Sequence, residues 1–516
     1  PYKEQGRLHD PSSWRSDEFK RDWGLQAIGA DYGYARGLSG KGVRIAIYDS
    51  GTDLRHREFA GKGHRGVRMA EPGCLSEANL SPDTGCFFTE GDRTAVTWID
   101  LTPDNKLQLE KLIASGTLTD DFIQIYSATL GKSIDDHGTH VAGTMVANRD
   151  GSAFHGVAYN SSLSAIRYAT HEYYNPPSAN FTGRAQSLAA ITGAYAQLRQ
   201  DNVRVINHSW GPPVDLESLE VLDADLAAET GVLGNALGQG SRDFGLLQVW
   251  AAGNNRKGQN TSPETALFAD TLPSMPRARP ELEPYWLSVV NLNQSLTLDS
   301  SSFRCGYSMN WCLAAPGTGI ISSIVSGEID TQRNYGPDTK VNGFTITADR
   351  PVFGYGSQTG TSMAAPHVSG ALALLMERFP YLDNPQIRDV LLTTARDLGA
   401  PGVDEVYGWG LIDLKKGIDG PGQLRVDTNV VMNQRAGGAK IWQGGAWDDW
   451  RNDISGPGRL GKSGPGWLRL SGNNSFAGAT LTSGTLEFDG VNRLSRVILV
   501  NGGLPRLNGA LQGTDL

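Results

Sequence analysis

No apolar run in this sequence approaches the roughly 20 residues that a membrane-spanning helix needs, so no segment reads as one. Runs of Lys or Arg longer than a few residues are missing too. With 46 Lys and Arg against 55 Asp and Glu, the formal net charge is −9, which argues against nucleic acid or an anionic membrane as the main partner. No signal peptide is visible, and a start at Pro1 without Met reads as a processed or trimmed product. Cysteine is scarce: the 516 residues hold four. They fall as Cys74/Cys86 and Cys305/Cys312, without Cys-x-x-Cys spacing and without a His at ligand spacing, so zinc is disfavoured. The stretches between them are rich in turn residues (Asn79, Ser81, Pro82, Asp83 and Gly85; Gly306 and Asn310). Each pair can therefore close a small disulfide loop, which suits an oxidising destination. Four free thiols in a reducing compartment are the alternative.

What the chain has is length, too much for one ordinary domain and enough for about three. Leu25, Ile28, Tyr32 and Ala35 space as one face of a short helix ending at Gly37. Val43, Ile45 and Ile47 then alternate with Arg44, Ala46 and Tyr48, a strand with Asp49 at its carboxyl end. Ser162–Tyr168 reads as a strand, 185–198 as a helix, and Val203–Gly211 and Gly245–Asn255 as further strands running into loops. Strands separated by helices imply an α/β fold, a mainly parallel sheet with helices on both faces. In such sheets the carboxyl ends of the strands are where sites are built.

Three stretches carry chemistry. In Gly360-Thr-Ser-Met-Ala-Ala-Pro-His367 a turn of small residues delivers Ser362 to the mouth of a helix. That helix is apolar nearly all round, tolerates Pro366 as a first-turn residue and ends before Pro380. By itself Ser362 reads equally well as a helix cap. Asp135-Asp-His-Gly-Thr-His140 opens a second helix with His137, an imidazole that titrates near neutrality and can take and return a proton. Asp49 alone would be an ordinary turn former. His137 and His140 could ligate a metal, but no Glu-x-x-His spacing accompanies them.

Taken in chain order, Asp49 then His137 then Ser362, these stretches resemble the motifs of the subtilisin-like serine proteases over roughly residues 20 to 415. The resemblance implies a hydrolase with Asp49, His137 and Ser362 as its triad. Asn254 then matches the oxyanion-hole asparagine, acting with the Ser362 N–H, and Ser209-Trp-Gly211 matches the segment that pairs with substrate backbone. His140 and His367 are expected to be structural. Protein or peptide substrates and no cofactor for the chemistry follow. Structural calcium is a family habit, but no ligand cluster stands out. The 88 residues from Asp49 to His137 exceed the compact family pattern. The surplus holds the first cysteine pair and a helix over 102–116 with Thr102 as N-cap, Pro103 in its first turn and Gly116 closing it. Polar loops at 256–284 and 326–350 are candidates to shape subsites.

Beyond Tyr407–Asp413 the match ends, with a boundary at Gly417–Gly422. Residues 423–516 are Trp- and turn-rich (Trp442, Trp447, Trp450). Short pairs such as Leu468/Leu470, Leu486/Phe488 and Ile498/Val500 alternate between Gly/Asn turns, as rungs of a β-solenoid do. This part resembles the β-helix repeat of bacterial autotransporter passengers; a small appended β-sandwich is the alternative. The organisation read from sequence is an N-terminal extension (1–22), a catalytic domain (23–416, insertion about 60–132) and a partial β-helix segment (423–516). The resemblance further implies export through the periplasm, a secreted or cell-surface location, and an outer-membrane barrel beyond Leu516. A surface adhesin whose protease-like domain only binds protein is the rival from another class.

Overall fold

Alternation along Arg44–Asp49 (β1) is what builds the two halves of the core. Ile45 and Ile47 join one buried apolar cluster, while Ala46 and Tyr48 join another on the opposite face. The same split recurs at Val205 against Ile206, Val249 against Trp250, and Leu287 against Trp286. A sheet buried on both faces is the expected home of such strands. The computed structural model describes residues 2–77, 86–99, 102–116, 132–175, 180–181, 186–211, 218–229, 233–255, 268–438 and 445–513.

The central sheet has seven parallel strands: β1, Arg65–Gly66 (β2), Ser162–Arg167 (β3), Val205–His208 (β4), Leu247–Ala251 (β5), Trp286–Leu292 (β6) and Cys312–Pro316 (β7). Their order across the sheet is β7-β6-β5-β4-β1-β3-β2. Helices His137–Val146 (α1) and Thr361–Arg378 (α3) cover one face, and Leu188–Gln200 (α2) lies on the other. The register pairs Tyr48 with His208, so Asp49 and Ser209 leave the same carboxyl edge side by side.

Cys74 is bonded to Cys86 and Cys305 to Cys312. The helix in the insertion runs Pro103–Ala114, with the Thr102 hydroxyl accepting from Asn105 N at 3.2 Å. Residues 326–350, a loop by sequence, differ in the structure: they belong to a long antiparallel hairpin, Ile320–Tyr335 (β8) with Val341–Gln358 (β9). Phe344, Ile346 and Ala348 do alternate with Thr345 and Thr347, but the facing stretch 326–335 sets Ile329 and Tyr335 among polar residues and glycine, so the period of two shows on one strand alone. Ile329 and Phe344 are buried there against Val96, Trp98 and Tyr173, which gives insertion and hairpin a small core of their own. Residues 256–267 lie outside the described residues, and Pro280–Tyr285 forms a 3₁₀ turn.

After residue 422 the chain makes two four-stranded parallel sheets from strands of three to five residues. One ladder runs Thr428–Val431, Arg459–Ser463, Gly478–Leu481, Ile498–Val500; the other runs Trp447–Trp450 (β10), Trp467–Leu470, Thr485–Phe488, Leu504–Leu507. Leu468, Leu470, Leu486, Phe488 and Ile498 face inward and are buried, but Val500 is exposed, as are Leu499 and Leu504 on the final strands. One apolar cluster runs unbroken from α3 through Ile418, Leu424 and Trp450 to these leucines. At the junction Arg378, the last residue of α3, makes a bidentate pair with Asp448 of β10 at 2.8 Å on both arms, and neither side chain is accessible. Arg378 Nε also donates to the Ile418 carbonyl. Among the described residues no helix is long and apolar enough to cross a membrane.

Candidate active site

Asp49 closes β1 and is 1 % exposed. Its Oδ1 accepts from the Ser50 N–H at 2.7 Å and lies 2.7 Å from His137 Nδ1. A carboxylate in that place fixes the tautomer: Nδ1 carries the proton and Nε2 is left as the acceptor. His137 sits there because it opens α1, whose first turn comes very close to the loop after β1. A Cβ on Gly138 would lie 2.2 Å from the Gly51 carbonyl, so only glycine fits.

The electrostatics around the imidazole oppose one another. Burial, the largest influence, pulls its pKa down. The charge and hydrogen bond of Asp49, with Asp135 and Asp136 behind it, more than reverse this and hold it at about 9. Asp135 Oδ1 also accepts the His137 backbone N–H at 3.0 Å, and burial raises its own carboxyl above the usual range. Its part was overlooked in the sequence, although its adjacency to the histidine was the available signal.

Ser362 is the second residue of α3, and the helix is capped by Gly360 instead. Its Oγ donates to the Ser209 carbonyl at 3.0 Å. Pro366 lies beyond the first turn, contrary to the reading from sequence. Having no N–H, it leaves the Ser362 carbonyl without a helical donor, and Ser209 Oγ fills that vacancy at 2.8 Å. Serine 209 and serine 362 are thus doubly joined, with Ser209 next to Asp49 at the sheet edge. Asn254 follows β5; its Oδ1 accepts from Thr361 N at 2.9 Å and Thr361 Oγ1 at 3.1 Å. With the oxygen so occupied, the amide's N–H₂ end is the one turned to other use.

Trp210 is half-buried and stacks on Tyr48 and Tyr168 at centroid distances of 5.1 and 5.4 Å, while Gly211 is exposed. The remaining histidines on the motifs are internal braces. His140, pushed down to about 4 by burial, shares its Nε2 proton between the Ile320 and Gly356 carbonyls at the root of the hairpin. His367 has Nε2 2.7 Å from Asp22 Oδ2 and Nδ1 2.8 Å from the Met363 carbonyl, all inside the protein. Trp23 adds a second tie there by donating to the Thr318 carbonyl. Nothing in the sequence pointed to Asp22, which stands 345 residues from its partner. Among the described residues no group of three or more His, Cys, Asp or Glu is arranged to hold a metal ion, so the side chains present do not compose a calcium site of that kind.

The sequence profile of the Subtilase family matches residues 40–410. An extracellular serine protease of Serratia marcescens is 30% identical over 97% of this chain and 46% of its own length. The autotransporter lipoprotein NalP of Neisseria meningitidis serogroup B is 27% identical over 65% of this chain and 30% of its own. The chain therefore spans less than half the length of these curated relatives. Fervidolysin of Fervidobacterium pennivorans superposes with a TM-score of 0.45 at 20% identity, covering 82% of this chain and 51% of that one.

Proposed function

This chain belongs to the subtilase family, and from that premise we propose that it is a serine endopeptidase working through an acyl-enzyme. The observation that carries the reading is the Asp49–His137 bond beside a helix-mouth serine, with Asn254 locked by its oxygen. Substrate backbone lies along Ser209-Trp-Gly211 as an added strand. Rotation about χ1 moves the Ser362 hydroxyl from the Ser209 carbonyl to His137 Nε2, since catalytic hydrogen bonds commonly tighten only when substrate is bound. His137 takes the proton as Oγ attacks the scissile carbonyl. Asn254 Nδ2 and the Ser362 N–H receive the oxyanion, where a donor has most effect because charge develops there. The imidazolium then protonates the leaving amine, and water activated by the same ring releases the acid.

The same reading makes residues 1–22 an extension, 23–416 the catalytic domain and 423–516 the first rungs of a β-solenoid. Its support is the parallel stacking of very short strands: Trp447 pairs with Trp467, Trp467 with Thr485, and Thr485 with Leu504. Together with the names of the relatives, this points to an exported autotransporter passenger, secreted or at the cell surface, whose full chain carries an outer-membrane barrel.

A serine-directed fluorophosphonate tests the proposal. The folded chain should be modified at Ser362; a folded chain left unmodified would favour the adhesin. The pH profile gives a second check. Because His137 must be neutral to act as base, kcat/KM should fall as pH drops below about 9. Asp49→Asn removes the charge that raises this pKa, so the limb should move to lower pH, with turnover reduced on the order of 10⁴. A limb that stays in place would show that His137 is not the titrating group.

A further inference from the structure

Asn207 stands on β4 and faces the same way as Val205, toward the apolar side of α3, and its side chain is fully buried. The Ser369 hydroxyl, two turns along α3 from Ser362, donates to Asn207 Oδ1 at 2.8 Å. Asn207 Nδ2 donates to Ser209 Oγ at 2.9 Å, and Ser209 Oγ in turn donates to the Ser362 carbonyl at 2.8 Å. This relay leaves α3 at Ser369, passes through the strand and returns to the same helix at the nucleophile. Ser209 and Ser369 are buried as well. The amide sets its direction, because a hydroxyl has one proton to give. With the amide turned over, Oδ1 would face Ser209 and take that proton. The Ser362 carbonyl, which Pro366 already deprives of a helical donor, would then have none.

We propose that Asn207 is a positioning residue for the nucleophile, acting through the Ser209 hydroxyl. The assignment rests on the endopeptidase reading above and deepens it. Ser362 lies between two peptide groups, each held by a side chain from a different part of the sheet edge. Asn254 Oδ1 accepts the Thr361 N–H on one side, and Ser209 Oγ serves the Ser362 carbonyl on the other. Together they fix the backbone from which the Ser362 hydroxyl turns toward His137 and its N–H meets the oxyanion. Ser209 also opens the segment that pairs with substrate, so one amide keeps nucleophile and substrate backbone in register. Small displacements of reacting groups cost much of the rate, which gives a buried residue of this kind its leverage.

The experiment measures kcat per fluorophosphonate-labelled site, so that only folded chains are counted, together with KM and melting temperature. Asn207→Leu keeps the volume of the side chain and removes both of its bonds. It should lower kcat by a factor on the order of 10, with KM changed less than about threefold. Ser209→Ala should give a loss of similar size. Adding Asn207→Leu to it should cost little more, since residues that act as a unit are not additive. Ser369→Ala is a gentler change, should Asn207→Leu fail to fold; it frees the amide to turn over and should lower kcat several-fold. Wild-type kcat per labelled site in Asn207→Leu, or in Ser369→Ala where only that chain folds, overturns the assignment even if the melting temperature falls. Losses that multiply in the double variant overturn it too, because Asn207 would then act independently of Ser209. A folded wild-type chain that neither labels nor cleaves overturns the endopeptidase reading, and this assignment with it.

Discussion

Ser362→Ala should lower peptide turnover by a factor on the order of 10⁶, the loss recorded for removing the nucleophile of a subtilisin, a member of this same family. Fluorophosphonate labelling should vanish with it. Stability should change little, because the lost Oγ makes one hydrogen bond, to the Ser209 carbonyl, and such a bond contributes only about 1 kcal/mol net. The return bond from Ser209 Oγ to the Ser362 carbonyl survives the substitution, so the helix mouth keeps its anchor. Measured melting temperature and kcat on the same preparation separate a chemical from a folding effect. Cleavage persisting at wild-type rate in Ser362→Ala would remove this residue as nucleophile.

The largest effect on stability is expected at the other end of the same helix. Asp448→Ala leaves the Arg378 guanidinium inside the protein without the carboxylate that holds both of its arms. Removing one partner of a buried pair costs about 3–5 kcal/mol, a large share of the whole stability of a domain. Tyr381, whose hydroxyl also bonds Asp448, and Trp450 Nε1, which donates to Tyr381 at 2.9 Å, lose support as well. Arg378→Met combined with Asp448→Leu should recover most of the loss, since replacing both ions by apolar groups of similar size removes the stranded charge. Chemical denaturation of the wild type and the two variants decides it. An Asp448→Ala chain as stable as wild type would mean that the charge finds another partner.

How much of this was legible in the sequence depends on distance along the chain. Asp49, His137 and Ser362 stood out because each sits within a contiguous motif whose local chemistry is recognisable, and the strands that carry the site show alternation that burial on both faces enforces. The hairpin β8–β9 did not, since residues 326–335 of its first strand are mostly polar and only the main-chain pairing with the second strand defines them as a strand. At the helix mouth the cap is Gly360, two residues before Ser362, and the proline acts by releasing a carbonyl that Ser209 claims. Bonds between distant residues left no trace at all. Asp22 with His367 and Arg378 with Asp448 join positions 345 and 70 residues apart, and nothing local distinguishes those carboxylates from exposed ones. Residues 417–422 look like a linker by composition, yet Ile418 is inside the core.

The match to the family runs from 40 to 410, but the helix that carries Ser362 is fastened at both ends from outside those limits. Excising the matched region as a minimal fragment would cut away Asp22 from one end and Asp448 from the other, stranding an imidazole and a guanidinium in the interior. Flanking sequence that bears no trace of the reaction thus belongs to the smallest unit able to present it.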